Sequence, residues 1–73
     1  MQKLTLEAVV THHWEDLGTV FEPGEHIEVN AADVRKAEAD PSVDWLVGVE
    51  YTGYYGIFLF RIPLRSICLL EAG

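Results

Sequence analysis

The side chains able to do chemistry are few, and their spacing keeps them apart. His12, His13, His26 and Cys68 are the residue types that hold zinc. Metal ligands must converge on one point, however, and adjacent residues of an extended chain point to opposite faces, so His12 and His13 do not meet on one ion. No pair among these residues has the spacing of a zinc site, and no metal is expected. Imidazoles that titrate near neutral pH remain able to tune contact with a partner. For covalent catalysis the chain offers Ser42, Ser66 and Cys68, without a nucleophile motif or a glycine-rich phosphate loop. The chain is therefore read as non-enzymatic, with no catalytic residue and no cofactor. The lone Cys68 closes no internal disulfide. Within the apolar run Ile67 to Leu70 it reads as a small buried hydrophobe, with too little positive charge nearby to activate the thiol.

The chemistry that the carboxylates do suggest is electrostatic recognition. Asp and Glu number 12 against 5 Lys and Arg, for a net charge of -7. Between Leu4 and Val34 no Lys or Arg occurs, while Glu7, Glu15, Asp16, Glu22, Glu25, Glu28 and Asp33 all do. Such a field attracts a basic protein segment and repels phosphate backbones, so direct nucleic-acid binding is not expected. The alternative reading is a solvated acidic face that serves solubility. Trp14, between His13 and Glu15-Asp16, is placed like an interface anchor. It would equally serve as a lid folded back over one end of the core, since large aromatics are mostly buried. The candidate protein-binding residues are Leu4, Leu6, Glu7, His12, His13, Trp14, Glu15, Asp16, Glu22 and Glu25. Tyr54 and Tyr55 form a second candidate patch, because one of two neighbours on a hairpin faces out. Ordinary cross-strand packing is the other account of them.

The elements that would position these residues follow from periodicity. Lys3 to Val10 alternates, with Leu4, Leu6, Ala8 and Val10 on one side, and predicts a first strand whose edge is open to a partner strand. Thr11 to Gly24 reads as a long irregular hairpin loop, ended by the turn signal Pro23-Gly24. Glu25 to Val29 is a short strand with Ile27 and Val29 inward. Asn30 is an N-cap residue, with Asp33 as a weaker capping-box partner, for a helix over Ala31 to Asp40 that Pro41 ends. Its apolar stripe is Ala31, Val34 and Ala37. The largest apolar stretch is Asp44 to Ile67, read as a hairpin: Trp45 to Tyr51 alternates, Thr52-Gly53 turns the chain, and Tyr55 to Ile62 returns. Pro63 to Ser66 is a single helical or 3₁₀ turn and Ile67 to Glu71 a last strand. At 73 residues and 49% hydrophobic content this is one domain, residues 1–73, of a folded rather than disordered kind. The elements predict a mainly β, small five-stranded, partly open barrel with one short helical insertion between the second and third strands.

In order, Ala8, Phe21, Glu22-Pro23-Gly24-Glu25, Ile27 and Val29, Trp45, Gly53-Tyr54-Tyr55-Gly56 and Ile62-Pro63-Leu64-Arg65-Ser66-Ile67 resemble the landmarks of the Src-homology-3-type barrels. The resemblance implies an SH3-like fold and, in its peptide-binding members, a groove for proline-rich segments. Here the tyrosine positions of that groove read Val10, His12 and Ser66, leaving Trp45 and Pro63. In length, acidity and overall character the chain also resembles small transcription regulators of lytic Xanthomonas phages. That resemblance implies binding to the large subunits of host bacterial RNA polymerase, sigma displacement and antitermination. The alternatives are an SH3-like peptide-binding adaptor, or a structural component of a phage particle with Ile57 to Phe60 as a self-associating strand. The N-terminus has neither a basic leader with an apolar core nor an apolar span of about 20 residues. A monomer in the host cytoplasm, away from membranes, is the expectation.

Overall fold

The computed structural model describes residues 4–50 and 58–70. The expected turn at Thr52-Gly53, the patch at Tyr54 and Tyr55, and residues Tyr51, Gly56, Ile57 and Glu71 lie outside the described residues. Among the described residues, seven strands and one α-helix run in the order β1 (Thr5–Val10), β2 (Trp14–Asp16), β3 (Thr19–Phe21), β4 (His26–Asn30), α1 (Ala31–Ala39), β5 (Leu46–Glu50), β6 (Phe58–Pro63) and β7 (Ile67–Leu69). A 3₁₀ turn, Leu64–Ser66, joins the last two strands after Pro63, as the sequence suggested.

Five strands form one antiparallel sheet in the order β6-β5-β4-β1-β7, and β2 and β3 form a separate two-stranded ribbon. β6 and β7 stand at opposite ends of that order, so the sheet is open and does not close into a barrel. The expected first strand is corrected in a second respect. β1 lies inside the sheet, paired on one side with β4 (Ala8 with Ile27) and on the other with β7 (Ala8 with Leu69). The pairing with β7 takes up that edge from Glu7 to Val10, so a partner strand cannot add along this half of β1.

Alternation along the strands builds the core. Ala8, Val10, Val29, Val47, Val49, Ile62 and Ile67 point inward, joined by Phe21 from β3 and by Val34 and Ala37 from α1. Leu6, Ile27, Phe60 and Leu69 are partly buried against them. Fully burying one such aliphatic side chain stabilises a fold by roughly 1.5–3 kcal/mol, which lets so short a chain fold. The helix lays its narrow stripe, Ala31, Val34 and Ala37, on this core. Asn30 caps it as expected, its side-chain Oδ1 accepting the Asp33 N–H at 2.8 Å. The Asp33 carboxylate does not complete a capping box; it accepts the backbone N–H of Gly48 at 2.9 Å. Pairing of β4 with β5 ends at Val29 opposite Val49, because Asn30 caps the helix, and Asp33 of the first helical turn supplies the acceptor for the next β5 residue. Gly48 is required there, because a Cβ would come within 2.8 Å of the Phe58 Cβ.

Cys68 departs from its expected burial. β7 alternates Ile67 inward, Cys68 outward and Leu69 partly inward, and the thiol is exposed on the far face of the sheet. An apolar run does not by itself say which members face the core; the pleat decides.

Candidate protein-binding surface

The segment Thr11 to Gly24, read as irregular, is built around a regular arm. β2 and β3 pair Trp14 with Phe21, Glu15 with Val20 and Asp16 with Thr19. Leu17 (φ 49°) and Gly18 (φ 80°) form the two-residue tip, both left-handed as a tight hairpin of the I′ kind requires. The arm's return is fixed by the turn from Glu22 to Glu25. There the Glu25 N–H donates to the Glu22 carbonyl at 3.2 Å, and the Gly24 N–H donates to the Val10 carbonyl at 2.8 Å.

Period-two alternation gives the arm two unlike faces. Trp14 and Asp16 face inward and dock on one residue of β6. The Trp14 indole N–H donates to the Arg61 carbonyl at 2.7 Å, and the Arg61 N–H donates to the Asp16 carboxylate at 2.9 Å. Phe21 meets Phe60 edge to face, with ring centroids 6.0 Å apart. Of the two readings of Trp14, the structure takes the second: the indole is half-buried against the core and its N–H is used within the chain. Trp14 and Asp16 thus anchor the arm to the molecule. They also occupy the outer polar groups of edge strand β6 at Arg61, where a foreign strand would otherwise add.

The outer face carries His13, Glu15, Val20 and Glu22. His13 Nδ1 pairs with Glu22 Oε1, and its Nε2 lies 3.7 Å from Glu15 Oε2, all three side chains being more than half exposed. The hydrogen bond to Glu22, reinforced by the charges of Glu22 and Glu15, holds the His13 pKa above the ordinary imidazole range. His12 turns elsewhere, its Nδ1 2.9 Å from the Thr11 hydroxyl and its backbone N–H on the Ser66 carbonyl. Among the described residues no three His, Cys, Asp or Glu side chains group as a metal site would require.

A second acidic feature crosses the main sheet. The register sets Glu7 opposite Glu28 and Glu28 opposite Glu50, so three carboxylate residues share one row and one face across β1, β4 and β5. Like charges placed directly opposite are unfavourable, by up to about 1 kcal/mol a pair. The Thr5 hydroxyl donates to Glu28 at 2.8 Å and relieves part of this. Sequence reasoning found Glu7 but missed the partnership of Glu28 and Glu50; the outward positions were legible, the register was not. Glu25 adds a further exposed carboxylate at the base of the arm, whereas Leu4 is 74% exposed ahead of β1 and Leu6 is packed against the core.

On another part of the surface, Ala37 and Glu38 of α1, the segment Pro41 to Trp45, and Leu64 and Arg65 line an open groove of about 630 Å³. Val43 and Trp45 are 46% and 38% exposed along it. Arg65 pairs there with Asp44, and the Ser42 hydroxyl donates to Asp40 at 2.7 Å.

The chain matches no protein-family model, no curated protein and no solved structure. Among the described residues no helix is long and apolar enough to cross a membrane.

Proposed function

We propose that this chain is a non-enzymatic regulator that binds another protein through its acidic arm. The observation that carries the reading is the arm's outer face, where Glu15 and Glu22 are presented by a ribbon whose inner face is fixed to the molecule through Trp14 and Asp16. His13 is the one basic group paired with these two carboxylates, and no Lys or Arg occurs between Leu4 and Val34, so the face keeps a negative excess. A charged surface mounted on a clamped ribbon offers a basic segment a preformed site and spares part of the ordering cost of binding. Glu7, Glu28 and Glu50 extend the same sign of potential across the sheet. The partner proposed is bacterial RNA polymerase, through its large subunits, with sigma displacement and antitermination as the consequences. This follows from the resemblance to small phage regulators, and host cytoplasm is then the site of action.

The finer fold proposal is an SH3-like plan. The strand order β6-β5-β4-β1-β7, the arm between β1 and β4, and the Pro63-led 3₁₀ turn before a last strand paired with β1 all support it. A second reading is favoured by the exposed Trp45 and Val43 along the groove with Leu64, a surface suited to an apolar peptide. In that reading the chain is a peptide-binding adaptor.

The deciding experiment is capture of purified bacterial RNA polymerase on the immobilised protein at low and moderate salt, beside Glu15→Gln/Glu22→Gln. Salt-sensitive capture that falls about tenfold in the double variant is the expected result. Salt-independent capture, or equal capture by the variant, would reject the acidic arm. A failure to capture polymerase while tryptophan fluorescence reports binding of proline-rich peptides would favour the adaptor.

A further inference from the structure

We infer that Leu17, at the tip of the arm, is a contact residue that seats in an apolar socket of a protein partner, a socket rimmed by Lys or Arg. The inference rests on the protein-binding reading of the arm, though not on which protein is bound. Its starting point is a residue choice that works against the fold. Both tip positions of this hairpin need positive φ, and Asn, Asp or Gly meet that need. Leu17 adopts φ 49° with a branched side chain for which the left-handed region is unfavourable. Burial does not offset the strain, since Leu17 is 78% exposed, the most exposed of the large hydrophobic residues described.

The surroundings extend the apolar tip into a surface with a definite complement. Val20, 42% exposed, stands on the outer face opposite Glu15. An apolar tip backed by Glu15 and Glu22, two carboxylates that share the single imidazole of His13, fits an apolar recess with basic walls, because an acidic rim would repel their excess negative charge. The chain's own groove is a poor complement. It presents Glu38 and Asp44 beside its apolar residues, and its Arg65 is already paired with Asp44, so a second copy is disfavoured as the occupant.

The test compares wild type with Leu17→Asn and Val20→Thr, substitutions that suit a tight turn and a strand respectively. The probe is an amphipathic peptide of Leu and Lys, titrated into isotopically labelled protein and followed by backbone amide shifts. In wild type the shifts should centre on residues 15–20, and the Leu17→Asn variant should bind about tenfold more weakly, as expected for loss of an anchoring side chain. The same variant should melt at a higher temperature than wild type, because Asn relieves the turn. Opposite movement of stability and affinity is the signature of a residue retained for contact. Equal affinity of wild type and Leu17→Asn, shifts centred elsewhere, no peptide binding, or a lowered melting temperature of Leu17→Asn would each overturn the inference. Self-association of wild type that Leu17→Asn abolishes would overturn it too, by making a second copy the occupant. Peptide binding at the tip without capture of RNA polymerase would reject the polymerase proposal and leave this inference standing.

Discussion

The attachment of the arm rests on the backbone of a single residue, Arg61, held from two side chains, and that makes a quantitative prediction. Trp14→Phe keeps most of the ring that packs against the core but removes the donor to the Arg61 carbonyl. Asp16→Ala removes the acceptor of the Arg61 N–H. Both hydrogen bonds lie where water can replace the lost partner, so each substitution should cost about 1 kcal/mol rather than the larger penalty of a buried orphan. In a domain of this size each such loss lowers the melting temperature by about 4–8 °C. The two effects should not add. Once either hold is released the arm is free to shift away from β6, and the second bond is already weakened; the double variant should therefore lose at least about 0.5 kcal/mol less than the sum of the singles. The assay is urea unfolding of the four proteins of the cycle, followed by circular dichroism so that loss of a tryptophan does not bias the signal. Additivity within about 0.3 kcal/mol would refute the idea of a common clamp. An arm fixed independently by its hairpin and by the Phe21 contact with Phe60 would then be the better description.

Two further predictions follow from the packing and the charges. Gly48→Ala should destabilise the fold by about 1–2 kcal/mol net, since overpacking against Phe58 costs about 1–3 kcal/mol while the stiffer unfolded chain returns under about 1 kcal/mol; the contact is with the Phe58 Cβ at 2.8 Å, so adding Phe58→Ala should not rescue it, and a urea midpoint unchanged by Gly48→Ala would disprove the close approach. The raised pKa of His13 means that the folded state holds a proton more tightly than the unfolded chain. Its stabilising contribution is thus fully present below the ordinary histidine pKa and is lost as pH rises through the folded value. Relative to His13→Gln, wild type should gain stability below the ordinary histidine pKa and lose that advantage as pH rises through the raised folded value, a small effect at so exposed a site; an advantage that grows with pH would contradict the pairing with Glu22 and Glu15.

How much of this was readable in advance depended on the range of the forces involved. The helix start at Asn30, its stripe of Ala31, Val34 and Ala37, and the turn after Pro63 are local events set by a cap, a 3.6-residue period and a fixed φ, and each appeared where the residues placed it. The arm was missed because its strands are three residues long, too short for alternation to register, and because Leu17 occupies a turn position that Asn or Gly normally marks. Trp14 could be read two ways, since nothing nearby in sequence contains the Arg61 carbonyl 47 residues later that receives its N–H.

The amino-acid sequence by itself determined the mainly β character, the one helix and the sign of the charge, since these come from composition, short periods and backbone preferences within a few residues. Only the tertiary structure decided that β1 lies inside the sheet, that Cys68 faces out, that Asp33 serves Gly48, and that Glu7, Glu28 and Glu50 share a row. Each of these depends on strand order and register, which are set by contacts between residues distant in the chain, and a slip of one residue would turn every side chain of a strand to the other face.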